Sequence, residues 1–272
     1  MDLYTRTSYT LAEQLTKAYS TSFSLSMSLF SNELRPHIYA IYGMVRIADE
    51  IVDTYAGSDQ RKQLDALESE VKAAMKRGYS SSPIVHAFAR TAMRYRIPSA
   101  HVTAFYKSMR MDLTPRTYDA SSYKTYIYGS AEVVGLMCLK VFLDDESEYT
   151  RLEAGAKRLG AAYQKVNFLR DLKADHEDLG RWYFPKGSFN RFNEAQKKSI
   201  IREIRADFAV AKTAAAQLPV SSRKAVTLSI RYYEALLLKL ERSSAERILQ
   251  RRVRITNVRK LILLLSIKLG RS

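Results

Sequence analysis

Apolar residues recur at intervals of three and four along nearly the whole chain and do not alternate, which is the period of a helix and not of a strand. The 272 residues include only 10 Gly and 6 Pro, so little interrupts that pattern. The expectation is an all-α protein without strands. Local punctuation at Asn32, Ser58-Asp59, Ser82-Pro83, Ile97-Pro98, Ser121-Ser122, Ser147, Asn193 with Gln196, and Pro219 divides it into roughly ten helices. No linker, low-complexity tract or repeat of solenoid length separates these segments. A single domain over residues 1–272 follows, near the upper end of what one core usually holds.

The net charge of +16 favours acidic partners: phosphate-bearing metabolites, nucleic acid or an anionic membrane surface. The 18 tyrosines are spread through helices and not interleaved with basic residues in one module, so nucleic acid is not expected. Cys138 is the only cysteine, which removes disulfides and cysteine-based zinc clusters. His37, His86, His101 and His176 show no metal-ligand spacing and read as structural or surface groups. The start "MDLYTRTSYTLAEQ" has an early acid and no apolar run, unlike a secretory signal. The greasiest stretch, "LILLLSIKLG", is interrupted by Lys268 and is far too short to span a bilayer. A cytoplasmic protein is expected.

Against this background, "GMVRIADEIVDTY" (43–55) stands out. Arg46, Asp49, Glu50 and Asp53 lie three and four residues apart, which places them on one helix face. From Ile38 to Val52 the only charges are Arg46, Asp49 and Glu50, so the helix is largely enclosed and its charged stripe faces a cavity. A second stretch, "YQKVNFLRDLKADHEDLGRWYFP" from Tyr163, repeats the pattern, with Gln164, Asn167, Asp171 and Asp175 on one face and Arg170 beside the acids. One Asp-x-x-x-Asp in a helical protein is most often a solvated face. Two in apolar surroundings, each with an upstream Arg, reverse that preference. Carboxylates about 6 Å apart repel by roughly 3 kcal/mol at an effective dielectric near 20, a cost that a cation between them removes. Oxygen-only ligands suit Mg²⁺, which is commonly shared with substrate phosphates, and two opposed stripes could turn a diphosphate into a good leaving group.

These segments resemble the squalene and phytoene synthase family, all-α enzymes of the isoprenoid synthase fold that join two prenyl diphosphates head to head. "YSTSFSLS" (19–26) resembles its entrance segment, "IYAIYGMVRIADEIVD" its first aspartate motif, and "YIYGSAEVVGLM" (126–137) its Tyr-x-Tyr-Gly helix. "YQKVNFLRDLKAD" with "GRWYFP" resembles its second aspartate motif and flap, and "RRVRITNVRKLILLL" looks most like the bacterial phytoene synthases. The resemblance implies that Asp49, Asp53, Asn167, Asp171 and Asp175 hold Mg²⁺, with Mn²⁺ as a substitute. It implies diphosphate contacts from Ser20, Ser22, Arg46, Gln164, Arg170, Tyr233 and Arg252, pocket walls from Phe23 and Tyr42, and assistance to proton loss from Tyr126. Glu50 stands where many relatives have a second Asp, and Ala174 where many have Glu.

The implied reaction is phytoene synthesis from two geranylgeranyl diphosphates through a cyclopropylcarbinyl diphosphate. The alternatives are squalene or dehydrosqualene synthesis from two farnesyl diphosphates, a single-substrate terpene cyclase, and a silent scaffold relative. No Gly-rich dinucleotide fingerprint is visible, and a phytoene synthase would need no NADPH. Other carotenoid-pathway enzymes are implied as neighbours. From Glu241 onward there are nine Lys or Arg against two Glu. The amphipathic segment at about 251–272 therefore reads either as a helix resting on anionic lipid at the inner face of the membrane or as an ordinary last helix packed on the body.

Overall fold

The helical period holds throughout. The structure, a computed structural model, describes residues 1–114 and 117–269, with Ser22 described in its backbone alone. The expected side-chain role of Ser22 and the last three residues of the basic tail lie outside the described residues. Thirteen α-helices are present among those described: α1 Leu3–Tyr19, α2 Thr21–Met27, α3 Arg35–Asp53, α4 Gln60–Arg77, α5 Pro83–Arg94, α6 Ser99–Met111, α7 Ala120–Ile127, α8 Val133–Phe142, α9 Glu146–Glu177, α10 Glu194–Ala215, α11 Val220–Arg242, α12 Ala245–Gln250 and α13 Asn257–Lys268. No strand occurs among them beyond one isolated bridge between Thr117 and Trp182. The excess over ten comes from short pieces. A π-helical turn, Tyr128–Glu132, joins α7 to α8, and α2 and α12 are only 7 and 6 residues long.

Several boundaries fall where the punctuation set them. Ser82 precedes α5, with Pro83 in its first turn, and Asn193 caps α10 by accepting from Ala195 and Gln196 N–H. Two caps lie slightly upstream of the expected residues. Asp119, not Ser121, starts α7 in a reciprocal box with Ser122, and Asp145 caps α9 by accepting from Ser147 and Glu148. In both cases an acid two residues ahead of the serine takes the cap, and negative charge at a helix N-terminus is favoured by the dipole.

The long α9, 32 residues and so about 48 Å, runs through the middle of the bundle against α8, α10 and α11. Its approach to α8 depends on glycine. A Cβ on Gly135 would lie 2.6 Å from the Ala156 carbonyl oxygen, and one on Gly160 would collide with the Ala131 carbonyl. Pairing 135 with 156 and 131 with 160 fixes α8 and α9 as antiparallel neighbours. The buried core is one continuous cluster, with a small second one beneath α13.

Candidate active site

Between α2, α3, α8, α9, α10 and α11 lies an apolar cavity of about 220 Å³, lined by residues including Phe23, Val45, Gly135, Leu152, Gln164 and Ala225. On α9 the lining runs from Gln164 to Leu152, a depth of about 18 Å at 1.5 Å per residue. Phe30 and Phe142, which line it at the Leu152 end, stack with centroids 5.3 Å apart and close that end. Asp171 and Asp175 lie on the same helix beyond Gln164, at the opposite end. The cavity is thus mostly apolar, with the acidic apparatus beyond its Gln164 end.

The two acidic stripes face each other there. Arg46 pairs with Asp49 at 4.0 Å and with Glu50, while its guanidinium lies 4.3 Å over the Tyr19 ring. On α9, Arg170 Nε donates to Asp171 at 2.9 Å, and Arg252, arriving from after α12, approaches the same carboxylate at 2.7 Å. Burial pushes Asp49 up to about 7, with Asp53 adding to the rise and Arg46 opposing it. Burial likewise pushes Asp175 up to about 7, reinforced by Asp171 on its own helix and by Asp53 across the gap, with Arg181 opposing. One acid on α9 therefore feels the charge of another on α3, as opposed stripes require.

Arg181 staples the two ridges together. It is 5% exposed, its backbone N–H donates to the Asp175 carbonyl at 2.7 Å, and its side chain reaches Asp53 Oδ1 at 2.8 Å and the Asp112 carbonyl at 2.7 Å. Asp112, buried at the end of α6, accepts from Tyr126 Oη at 2.7 Å and from Tyr183 Oη at 3.3 Å. Burial raises Asp112 to about 6, although Arg181 and these hydroxyls oppose the rise. Sequence reading missed Asp112 and Arg181. The signal for Arg181 was a lone cation before the aromatic run Trp182-Tyr183-Phe184; Asp112 gave none.

The remaining candidates fall around this mouth. Phe23 and Tyr42 rings lie 5.4 Å apart, and burial pushes Tyr42 up to about 12, with Arg46 opposing and Asp49 adding. Ser20 caps α2 by accepting from Phe23 N–H. Tyr233 stacks on Tyr163 at 3.9 Å. Tyr126 is 3% exposed and sits among Tyr118, Phe168 and Tyr183, with centroids 5.1, 5.8 and 5.1 Å away. Burial, with Asp112 adding, keeps its phenol protonated.

The donor set suits a hard divalent cation. All five candidate ligands offer oxygen, and Asn167 Oδ1 is a buried acceptor with no hydrogen-bond partner, while Arg46 Nε is a buried donor with none. Among the described residues no three His, Cys, Asp or Glu converge on one point.

Opposed acidic helices beside an apolar cavity inside an all-α bundle are the arrangement of an isoprenoid synthase, and the fold is of that kind. It superposes on a dehydrosqualene synthase crystal structure with TM-score 0.83, covering 98% of this chain and 97% of the other at 19% identity. The chain belongs to the squalene/phytoene synthase family, which it matches over residues 16–259, a family of prenyl transferases. It is 28% identical over 200 residues to the 4,4'-diapophytoene synthase of Staphylococcus haemolyticus, covering 72% of this chain and 68% of the relative. It is 32% identical over 200 residues to the phytoene synthase of Arthrospira platensis, covering 68% and 63%.

Proposed function

We propose that this protein is a magnesium-dependent head-to-head prenyl synthase that condenses two geranylgeranyl diphosphates to phytoene, without NADPH. The observation that carries the reading is the pair of carboxylate ridges, joined through Arg181, beyond the Gln164 end of an apolar cavity. Asp49, Asp53, Asn167, Asp171 and Asp175 would hold Mg²⁺, which when bound neutralises diphosphate charge and improves it as a leaving group.

The chain's own residues divide the rest of the work. Arg46, Arg170 and Arg252 bring cationic donors to the diphosphates, with Gln164 and Ser20 as further contacts. The apolar tube holds the prenyl tail and keeps water from the allylic cation formed when carbon–oxygen cleavage releases diphosphate. The faces of Phe23 and Tyr42 favour that cation. Attack by the double bond of the second chain and loss of a proton close a cyclopropane. A second ionisation and rearrangement give the 1-1' skeleton, and a last proton loss gives the triene. The hydrogen bond from Tyr126 to Asp112, a protonated phenol on a carboxylate of raised basicity, supports a part for this pair in proton removal.

Supporting the C20 choice are the likeness of residues 251–265 to bacterial phytoene synthases and the similarity to the Arthrospira protein. The Staphylococcus relative favours a C15 substrate instead. Incubating the protein with C15 or C20 diphosphate and Mg²⁺, with and without NADPH, and identifying the hydrocarbon decides between them. A C40 product from C20 without NADPH is expected; a C30 product from C15 alone refutes the choice of substrate. An inactive protein whose melting curve ignores Mg²⁺ and inorganic diphosphate refutes the enzyme reading.

A further inference from the structure

Asp171 is clamped by two guanidiniums at once. Arg170 donates Nε to its Oδ1 at 2.9 Å and Nη2 to its Oδ2. Arg252, from the segment between α12 and α13, sets its own Nε 2.7 Å from Oδ1 and donates Nη2 to Oδ2 at 3.3 Å. Both forks therefore lie along both oxygens. An ionised carboxylate offers about four lone-pair directions, and two nitrogens from each arginine stand against this one, so a metal ion reaches it only by displacing a guanidinium. Two positive charges on one negative charge also leave the clamp cationic. It is set to receive an anion.

The facing ridge is not closed in this way. Asp49 has Arg46 at 4.0 Å, and that arginine gives its hydrogen bond to Glu50 instead. Of the two guanidiniums on Asp171, Arg252 is the one placed to let go. Arg170 belongs to α9 itself, beside the acid it holds, and its side chain is 21% exposed against 48% for Arg252. The strap carrying Arg252 is fixed on both sides of it. Ile248 and Val253 are buried in the core, and Lys239 Nζ donates to the Arg254 carbonyl at 2.6 Å. The backbone therefore stays, and the long side chain turns. Burial, with Arg170 adding, lowers the Arg252 guanidinium from its ordinary value; the second cause is the like charge that shares its carboxylate.

We propose that Arg252 is a latch: without diphosphate it keeps the α9 ridge closed to Mg²⁺, and an arriving diphosphate draws it off Asp171 and opens that carboxylate to the metal. Each ligand then raises the affinity for the other, since coupling between two ligands is reciprocal. When diphosphate leaves, the guanidinium returns to Asp171 and the ridge closes again. The latch rests on the metal-and-diphosphate reading of this site and adds to it the order in which the site fills.

Titration of the metal-free full chain with Mn²⁺, followed by the electron paramagnetic resonance signal of the free ion, tests this without turnover. Arg252→Gln keeps Arg170 on Asp171 and removes the second fork. Without diphosphate it should bind Mn²⁺ about tenfold more tightly than the parent, an ordinary size for coupling between sites. The same variant should bind inorganic diphosphate, measured by calorimetry without metal, about tenfold more weakly. A variant that merely folds poorly loses both affinities, so the opposite signs are the signature. Arg252→Lys, which keeps the charge, should stay closer to the parent in both. In an Asp171→Asn background the gain in Mn²⁺ affinity from Arg252→Gln should vanish, because the acid that the latch guards is gone; a gain that persists there overturns the latch. Mn²⁺ affinity that Arg252→Gln leaves unchanged or weakens overturns the latch while the metal site stands. Absence of Mn²⁺ binding by parent and variant alike, with and without diphosphate, overturns the metal reading and the latch with it.

Discussion

Replacing Asp175 by Asn should stabilise the metal-free protein at pH 8 and do so by less than half as much at pH 5. Burial and the neighbouring acids, Asp171 first, raise this carboxyl from 3.8 to about 7. At 1.36 kcal/mol per unit, the ionised form costs the fold on the order of 4 kcal/mol. The sign follows from proton linkage. Between about 4 and 7 the folded state keeps a proton that the unfolded chain has released, so stability falls as pH rises through that window and the whole cost is present above it. Asn cannot ionise and escapes the cost, in which the opposing attraction of Arg181 is already counted. A gain of up to about 4 kcal/mol at pH 8 follows, at roughly 2 °C in Tm per kcal/mol for a chain of this size. Thermal melts at pH 5 and pH 8 with chelator present measure it. Turnover by the variant should collapse, because the acid kept at this cost serves ligand binding. A variant less stable than the parent at pH 8, or one shifted equally at both pH values, refutes the reasoning.

Two more outcomes follow from particular contacts. Arg181→Ala should lower stability by about 3 to 5 kcal/mol in urea unfolding, since it leaves Asp112 and Asp53 without their shared cation; a loss within about 0.5 kcal/mol, the size of an ordinary surface change, would deny Arg181 its stapling role. Phe142→Ala should open the closed end of the tube and shift preference toward a longer prenyl diphosphate in paired C15 and C20 assays. An unchanged ratio would place the length limit elsewhere.

The sequence made the acidic stripes legible because their spacing is local. Asp49 and Asp53, or Asp171 and Asp175, share a face whatever the rest of the chain does, and the enclosing apolar residues announce that the face is internal. Arg252 was less legible, lying 81 positions from the Asp171 it meets. Asp112 was not legible at all, because its partners Tyr183 and Arg181 come from a segment about 70 residues on, with a separation of 71 for the hydroxyl. The basic tail allowed two readings, and α13 packs one face on α11 while its other face is exposed.

What the amino-acid order determined alone was the helical class, the two acid-bearing faces and the kinship that their motifs carry, all of which depend on residues within a few turns of one another. Which acids meet across the gap, that Arg181 joins them and that Phe30 and Phe142 close the tube were decided by packing. Each of these needs side chains from distant helices to occupy one volume, and helical periodicity carries no information about which helix lies opposite.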